Sequence, residues 1–302
     1  MSKIDFTGRV AIITGAGAGL GRVHAIEFAK RGAKVVVNDL GGSRDGAGAS
    51  VSPADKVVEE IKALGGEAVA NYDNVATMEG GENITKTAVD AYGKVDILVN
   101  NAGILRDKTF LKTEESDWDA VCQVHLKGAY CVTRPAFKVM KENGYGRIIL
   151  TTSGAGIFGN FGQANYSAAK SGVVGLANVL KLEGAKNNIK TNVLAPVAAT
   201  RLTEDILPPP VFEKMKPEYV TPVVLYLCSE QCEDSGTIIN AGLGYFSKSA
   251  MMTNNGVILP VADGAPQPEE IMSKWDEITN MESTKFYKEV NAMLGEFQSI
   301  LG

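Results

Sequence analysis

The sequence predicts a doubly wound α/β fold: a parallel sheet with helices on both faces, followed by a C-terminal helical extension. Three observations carry this. Short, nearly continuous apolar runs alternate with helical patterns over the first two-thirds of the chain, as strands buried on both faces require. The first run passes directly into a glycine-rich turn and a helix. Gly15, Asp39, Asn74, Asn100, Ser153 and Pro196 all fall just past the C-terminal ends of runs, where open α/β sheets bind ligands. Alternating strands and helices imply right-handed crossovers, the Rossmann arrangement.

The first strand, residues 10–13, leads into Thr14-Gly15-Ala16-Gly17-Ala18-Gly19-Leu20-Gly21 and a helix through Val23, Ile26 and Phe28. Strand, glycine turn and helix in this order mark a dinucleotide site. Gly15 permits the tight turn. Gly19 and Leu20 open the helix N-terminus, where a pyrophosphate approaches the backbone, and Gly21 lets helix pack on strand. The spacing is T-G-x-x-x-G-x-G, and a structural turn is the alternative for this loop taken alone. The second strand, Lys34–Asn38, ends at Asp39, eighteen residues beyond Gly21. A carboxylate there accepts from the adenine ribose 2′-hydroxyl and repels a 2′-phosphate, which points to NAD. A solvated turn aspartate is the plainer alternative, and the nearby Arg44 leaves NADP use open.

A polar, glycine-rich loop over 41–52 precedes a helix opened by Pro53 and running to 64. Residues 67–72 form the third strand; Asp73-Asn74-Val75 then stand where an adenine edge would be held. Ile84, Ala88 and Ala91 share a helical face. Residues 95–99 form the fourth strand, followed by Asn100-Asn101-Ala102-Gly103, and a long helix covers 116–141. Residues 146–150 form the fifth strand, leading into Thr151-Thr152-Ser153. After the next helix, a strand over 191–194 meets Pro196. Beyond 195 the pattern loosens: Leu207-Pro208-Pro209-Pro210 cannot be regular helix, 217–229 reads as helix and 237–244 as a last strand. Gly264-Ala265-Pro266-Gln267-Pro268 reads as a linker. Two amphipathic helices follow, one carrying Ile271, Trp275 and Ile278, the other Phe286, Val290, Met293 and Phe297. We therefore expect a catalytic domain over 1–245 and a helical extension over 246–302, packing on that domain or on a second subunit.

Ser153 stands thirteen positions before Tyr166, and Tyr166-x-x-x-Lys170 places phenol and ammonium one helical turn apart. An ammonium beside a phenol stabilises phenolate, so the Tyr166 pKa is expected to fall from about 10. That gives a proton donor and acceptor usable near neutrality, with the Ser153 hydroxyl bonding the oxygen whose charge changes. Taken alone, such a Tyr/Lys pair is an ordinary surface pair.

The chain has 302 residues, net charge −5 and 45% hydrophobic residues, an ordinary globular composition. No basic stripe points to nucleic acid. With two histidines and one Cys228-x-x-x-Cys232 pair, no zinc site is expected; Cys122, Cys131, Cys228 and Cys232 read as reduced thiols of an intracellular protein. No run reaches the length of a membrane span, and no signal segment is apparent. Asn83-Ile84-Thr85 and Asn165-Tyr166-Ser167 match the glycosylation pattern by chance.

Together, Thr14-Gly15-x-x-x-Gly19-x-Gly21, Asn100-Asn101-Ala102-Gly103, Ser153 and Tyr166-x-x-x-Lys170 resemble the short-chain dehydrogenase/reductases over about the first 240 residues. Asn38-Asp39-Leu40-Gly41-Gly42, residues 101–107 and 159–166, and Lys216-Pro217-Glu218-Tyr219-Val220 look like the (3R)-hydroxyacyl-CoA dehydrogenase units of the peroxisomal multifunctional type 2 enzymes. The resemblance implies an NAD-dependent oxidation of (3R)-hydroxyacyl-CoA to 3-ketoacyl-CoA. Tyr166 would be the acid/base, Lys170 would hold the nicotinamide ribose and Ser153 would orient the substrate oxygen. Gly15, Gly19, Leu20, Gly21, Asp39, Asn74, Val75, Asn100, Asn101, Ala102, Gly103 and Pro196 would line the cofactor site. His125-Leu126-Lys127-Gly128 stands where the family carries an asparagine of a proton relay. Histidine also bonds water and changes charge near pH 6.5, so His125 is either a relay group or a structural residue. Pro196-Val197 replaces a common Pro-Gly, and valine does not freely adopt positive φ. The resemblance further implies a homodimer, fusion to or association with an enoyl-CoA hydratase, and a peroxisomal or otherwise cytoplasmic location, although Ile300-Leu301-Gly302 is no Ser-Lys-Leu address. The same motifs also suit a 3-ketoacyl thioester reductase, a dehydrogenase of steroids or other secondary alcohols, or a non-catalytic NAD sensor.

Overall fold

The computed structural model describes residues 3–43, 45–48, 50–198, 214–261 and 264–300. Arg44 and the 207–210 proline run lie outside the described residues. The chain divides into one compact unit over residues 1–248 and another over 249–302.

The chain forms an eight-stranded sheet of order β3-β2-β1-β4-β5-β6-β7-β8. Its strands are β1 Val10–Thr14, β2 Lys34–Asn38, β3 Glu67–Asn71, β4 Ile97–Asn100, β5 Gly146–Thr151, β6 Ile189–Pro196, β7 Ile238–Gly242 and β8 Tyr245–Ser249. Neighbouring strands from β1 to β7 pair in parallel. The connecting helices are α1 Gly19–Ala29, α2 Ser52–Ala63, α3 Met78–Tyr92, α4 Glu115–Cys122, α5 Gly128–Asn143, α6 Gly154–Phe158, α7 Ala164–Gly184 and α8 Thr221–Cys228. The order reverses between β1 and β4, and a crevice opens there at the strand C-termini.

The apolar runs are continuous because successive side chains alternate between two covered faces. On one face Ala11, Ile13, Val35, Val37 and Ile149 pack with Phe28, Ile61 and Val224. On the other, Val10, Ile12, Val36 and Ile148 pack with Ile84, Val132, Met140 and Val173. Each fully buried side chain of this size contributes about 1.5–3 kcal/mol, so the same strands hold both helical layers. Helix α3 starts where the Thr77 hydroxyl accepts from Gly80 N at 3.0 Å and stops at Gly93, whose φ is 81°.

The expected 116–141 helix runs as α4, one π-type turn over Gln123–Lys127, and α5. The 217–229 helix begins as a single 3-10 turn, Pro217–Tyr219, before α8. Among the described residues, Asn188 and Leu243 are the only non-glycines with positive φ. Val197 therefore follows Pro196 without the strain its sequence position suggested. All four cysteines are free thiols. No helix among the described residues is long and apolar enough to cross a membrane.

The second unit pairs two short strands, β9 Thr253–Asn254 and β10 Thr284–Lys285, antiparallel. Its helices are α9 Pro268–Ser273, α10 Trp275–Thr279 and α11 Val290–Ile300. The Asn254 amide donates to Ile278 O and Asn280 O, both at 2.7 Å. Lys285 pairs with Glu296 at 2.9 Å. The second amphipathic helix starts at Val290, so Phe286 precedes it.

Candidate active site

A cleft of about 560 Å³ lies along the C-terminal ends of the strands. Gly15, Gly19, Leu20, Asp39, Asn74, Val75, Asn101, Ala102, Gly103, His125, Ser153, Tyr166, Lys170 and Pro196 all line it. Gly21 does not. A Cβ on Gly21 would sit 2.3 Å from Gly15 O and 2.6 Å from Asn101 Nδ2, so its lack of a side chain serves the packing of α1 under the turn.

One half of the cleft is a backbone cradle. Gly15 and Gly19 have φ of 62° and 53°, and a Cβ on Gly15 would meet Ala102 Cα at 2.7 Å. Residue Ala18 gives α1 no side-chain cap, and the first turn carries no acid. The positive end of this eleven-residue helix therefore opens towards the cleft. Asn101 Nδ2 bonds Thr14 O at 3.0 Å and Gly15 O at 3.1 Å, and Thr14 Oγ1 accepts from Asn101 N and Ala102 N. These bonds stitch the ends of β1 and β4 together. Asp39 accepts from Gly17 N at 2.8 Å and Gly41 N at 2.7 Å. A Cβ on Gly17 would lie 2.8 Å from that carboxylate. The glycine turn and open helix end offer N–H donors to a pyrophosphate and the fixed acid offers an acceptor to a ribose hydroxyl, so these residues fit a dinucleotide.

The other half holds the polar side chains. Thr151 ends β5, and its carbonyl accepts from Lys170 Nζ at 2.6 Å. Thr152 Oγ1 donates to Lys170 O at 2.7 Å, and a Cβ on Gly156 would strike Lys170 Cβ at 2.5 Å. The strand end and α6 thus hold α7 at Lys170. Ser153 caps α6, accepting from Ala155 N at 3.2 Å, and its hydroxyl lies near enough to act on the Tyr166 phenol. Lys170 Nζ lies 5.7 Å from the Tyr166 ring centroid. The His125 ring meets Tyr166 edge-on, with centroids 5.0 Å apart.

Electrostatics correct two expectations. Burial raises the Tyr166 pKa; the Ser153 hydroxyl acts against the rise and the Asp107 carboxylate adds to it. The expected fall is absent because Lys170 is itself desolvated, to a pKa of about 7, and donates to a backbone carbonyl. His125 is 4% exposed. Burial first, then the Lys170 charge, push it well below 6.5 against the Ile104 backbone bond, so it is neutral rather than poised to change charge. Its Nε2 lies 2.7 Å from Ile104 O and 3.1 Å from Ile104 N, donating to the carbonyl in one tautomer and accepting from the amide in the other, while Nδ1 has no partner. The π-type turn turns this ring inward against the backbone of Gly103, where a Cβ would come 2.5 Å from Cε1. Asn100 departs from expectation too: its amide donates to Thr133 Oγ1 at 2.9 Å. It faces a small inner cavity beside His125, Thr151 and Lys170 rather than the main cleft.

Sequence reasoning gave no role to Thr14, Thr151, Thr152 or Arg106. The first three sit at strand ends next to residues already singled out, and that adjacency was the available signal. No cluster of metal-ligating side chains occurs among the described residues.

A doubly wound sheet with this cradle and a Ser/Tyr/Lys set at one crevice defines a nucleotide-dependent oxidoreductase scaffold. Residues 9–208 match the family model described as short chain dehydrogenase, and the chain belongs to that family. It is similar to peroxisomal multifunctional enzyme type 2 of Drosophila melanogaster, at 50% identity over 99% of this chain and 50% of that protein. The solved full-length structure of that enzyme superposes with a TM-score of 0.84 at 43% identity, again covering 99% of this chain and 50% of that one. A Mycobacterium tuberculosis protein described as a short-chain type dehydrogenase/reductase is 53% identical over 92% of this chain and 96% of its own. A 7α-hydroxysteroid dehydrogenase, solved with NADH and 7-oxo glycochenodeoxycholic acid, superposes with a TM-score of 0.71 at 30% identity, covering 80% of this chain and 95% of that one. The chain spans about half the length of the multifunctional enzyme it matches.

Proposed function

We propose that this protein oxidises the 3-hydroxyl of a (3R)-hydroxyacyl-CoA to the ketone with NAD. The observation that carries the reading is the meeting of Ser153, Tyr166 and Lys170 in one cleft with the glycine cradle and Asp39. The likeness to a multifunctional enzyme named as peroxisomal supports the substrate class. Gly15, Gly19, Leu20 and the α1 N-terminus would take the pyrophosphate, and Asp39 the adenine ribose. Asn74, Val75, Asn101, Ala102, Gly103 and Pro196 would line the remainder. When bound, NAD supplies the hydride acceptor. Tyr166 takes the hydroxyl proton, Ser153 bonds the same oxygen, and Lys170, one turn along α7, would hold the nicotinamide ribose. His125, neutral and walled in by Ile104, serves as a support for Tyr166 and the Asn101-Ala102-Gly103 turn.

A homodimer and association with an enoyl-CoA hydratase in a peroxisome extend the reading. Oxidation of another secondary alcohol, steroids included, is the second reading, supported by the likeness to the steroid dehydrogenase.

The test offers (3R)- and (3S)-hydroxyacyl-CoA with NAD or NADP and follows NADH or NADPH formation. We expect turnover of the 3R isomer with NAD, rising with pH because Tyr166 must lose its proton to act as base. Tyr166→Phe should abolish turnover and keep cofactor binding; a variant that still turns over removes Tyr166 from the mechanism.

A further inference from the structure

The first turn of α7 contains a buried amide that the proposed chemistry does not use. Asn165 is 1% exposed although it adjoins Tyr166, so its glycosylation-type pattern is inaccessible in the folded protein. Its Oδ1 accepts from Tyr166 N at 2.7 Å. Its Nδ2 donates to Arg106 O at 3.1 Å and Asp117 O at 3.3 Å. Amides in the first turn of a helix have no intrahelical partner, and Gln163 at the cap position supplies no side-chain bond. The side chain that satisfies the Tyr166 amide is that of Asn165.

Each acceptor belongs to a different segment. Arg106 lies in the loop after β4, where Ile104, Leu105 and Arg106 all line the cleft. Asp117 lies in the first turn of α4, and its carboxylate pairs with Lys108 at 2.6 Å and Arg106 at 3.8 Å. Arg106 Nε reaches on to Asp45 O at 2.9 Å, in the loop after β2. One buried amide therefore ties the start of the catalytic helix to the cleft-lining loop and to α4. Charge pairs close the knot from outside.

We infer that Asn165 is a positioning residue that fixes Tyr166 relative to the cleft-lining loop after β4, so that its hydroxyl meets Ser153 and the substrate oxygen at one point. This rests on the proposed role of Tyr166. Without the amide, the Tyr166 N–H and two carbonyls must find other partners. A misplacement of about 1 Å at a catalytic group can cost about a hundredfold in rate.

The experiment uses the full chain with Asn165→Ala and Asn165→Asp, the latter keeping an acceptor for the Tyr166 amide. We expect Asn165→Ala to lose about ten- to a hundredfold in kcat, with KM and the NADH dissociation constant at wild-type values. Asn165→Asp should recover part of kcat, and also carries the test if the alanine variant does not fold. A crystal structure of either variant without ligands should show the Tyr166 hydroxyl displaced from Ser153. Unchanged kcat, a Tyr166 that superposes on the wild type, or equal losses of kcat, NADH affinity and melting temperature in both variants would each overturn the inference. If the wild type turns over no hydroxyacyl-CoA, the functional reading fails by itself, and the displacement of Tyr166 still decides the positioning role.

Discussion

Lys170→Met should stabilise the ligand-free protein below neutral pH while removing a group the proposed chemistry needs. Lys170 is fully inside α7's buried face, and burial lowers its pKa from 10.5 to about 7. Folded Lys170 thus binds fewer protons than unfolded Lys170 between pH 7 and 10.5. Stability from this group rises with pH across that window and is at its lowest below pH 7. At about 1.4 kcal/mol per pH unit, carrying the ammonium inside costs about 5 kcal/mol at pH 6. At pH 9, where folded Lys170 is neutral, the cost is only the distance from 9 to 10.5, about 2 kcal/mol. Methionine has similar length and no charge, but it leaves Thr151 O without its 2.6 Å donor, a loss of about 1–3 kcal/mol. That loss applies at both pH values. The advantage of Lys170→Met over wild type should therefore shrink by about 3 kcal/mol from pH 6 to pH 9. Denaturant midpoints of the two ligand-free proteins at both pH values measure this directly, and other titrating groups cancel in the difference. A stability difference that does not change with pH would refute a desolvated Lys170, and with it the view that this site holds its charge at a cost until a ligand arrives.

Two further outcomes test the cradle. Asp39→Ser removes the acceptor of Gly17 N and Gly41 N and the charge facing a 2′-phosphate. The ratio of kcat/KM for NADP to that for NAD should rise by about tenfold or more, equivalent to about 1.4 kcal/mol, and an unchanged ratio would show that Asp39 does not read the ribose. Gly21→Ala puts a methyl 2.3 Å from Gly15 O, and overpacking against backbone costs about 1–3 kcal/mol. It should lower the melting temperature and weaken NADH binding together; full NADH affinity would mean that the Gly15 turn does not contact the cofactor.

The strands were legible because parallel strands covered on both faces need apolar residues at every position, and β2 has the predicted bounds Lys34–Asn38. The crevice was legible for the same reason: once strand ends are known, the residues just past them face one opening. Legibility stopped where a position depends on a partner far along the chain. Asn100 and Asn101 adjoin in sequence, yet a strand sends neighbours to opposite faces. One bonds Thr133 on the buried face of α5, while the other bonds the β1 turn. Likewise, the 125 position was readable as a departure from its family pattern, but not its consequence. The π-type turn puts His125 against Gly103, and burial there fixes its charge. The Tyr166–Lys170 spacing implied a pKa lowered by a nearby ammonium; the same packing that brings the two together also removes the water that would keep that ammonium charged. Proximity follows from helical period, whereas desolvation follows from everything packed around the helix, so the geometry of this site was written locally and its electrostatics were not.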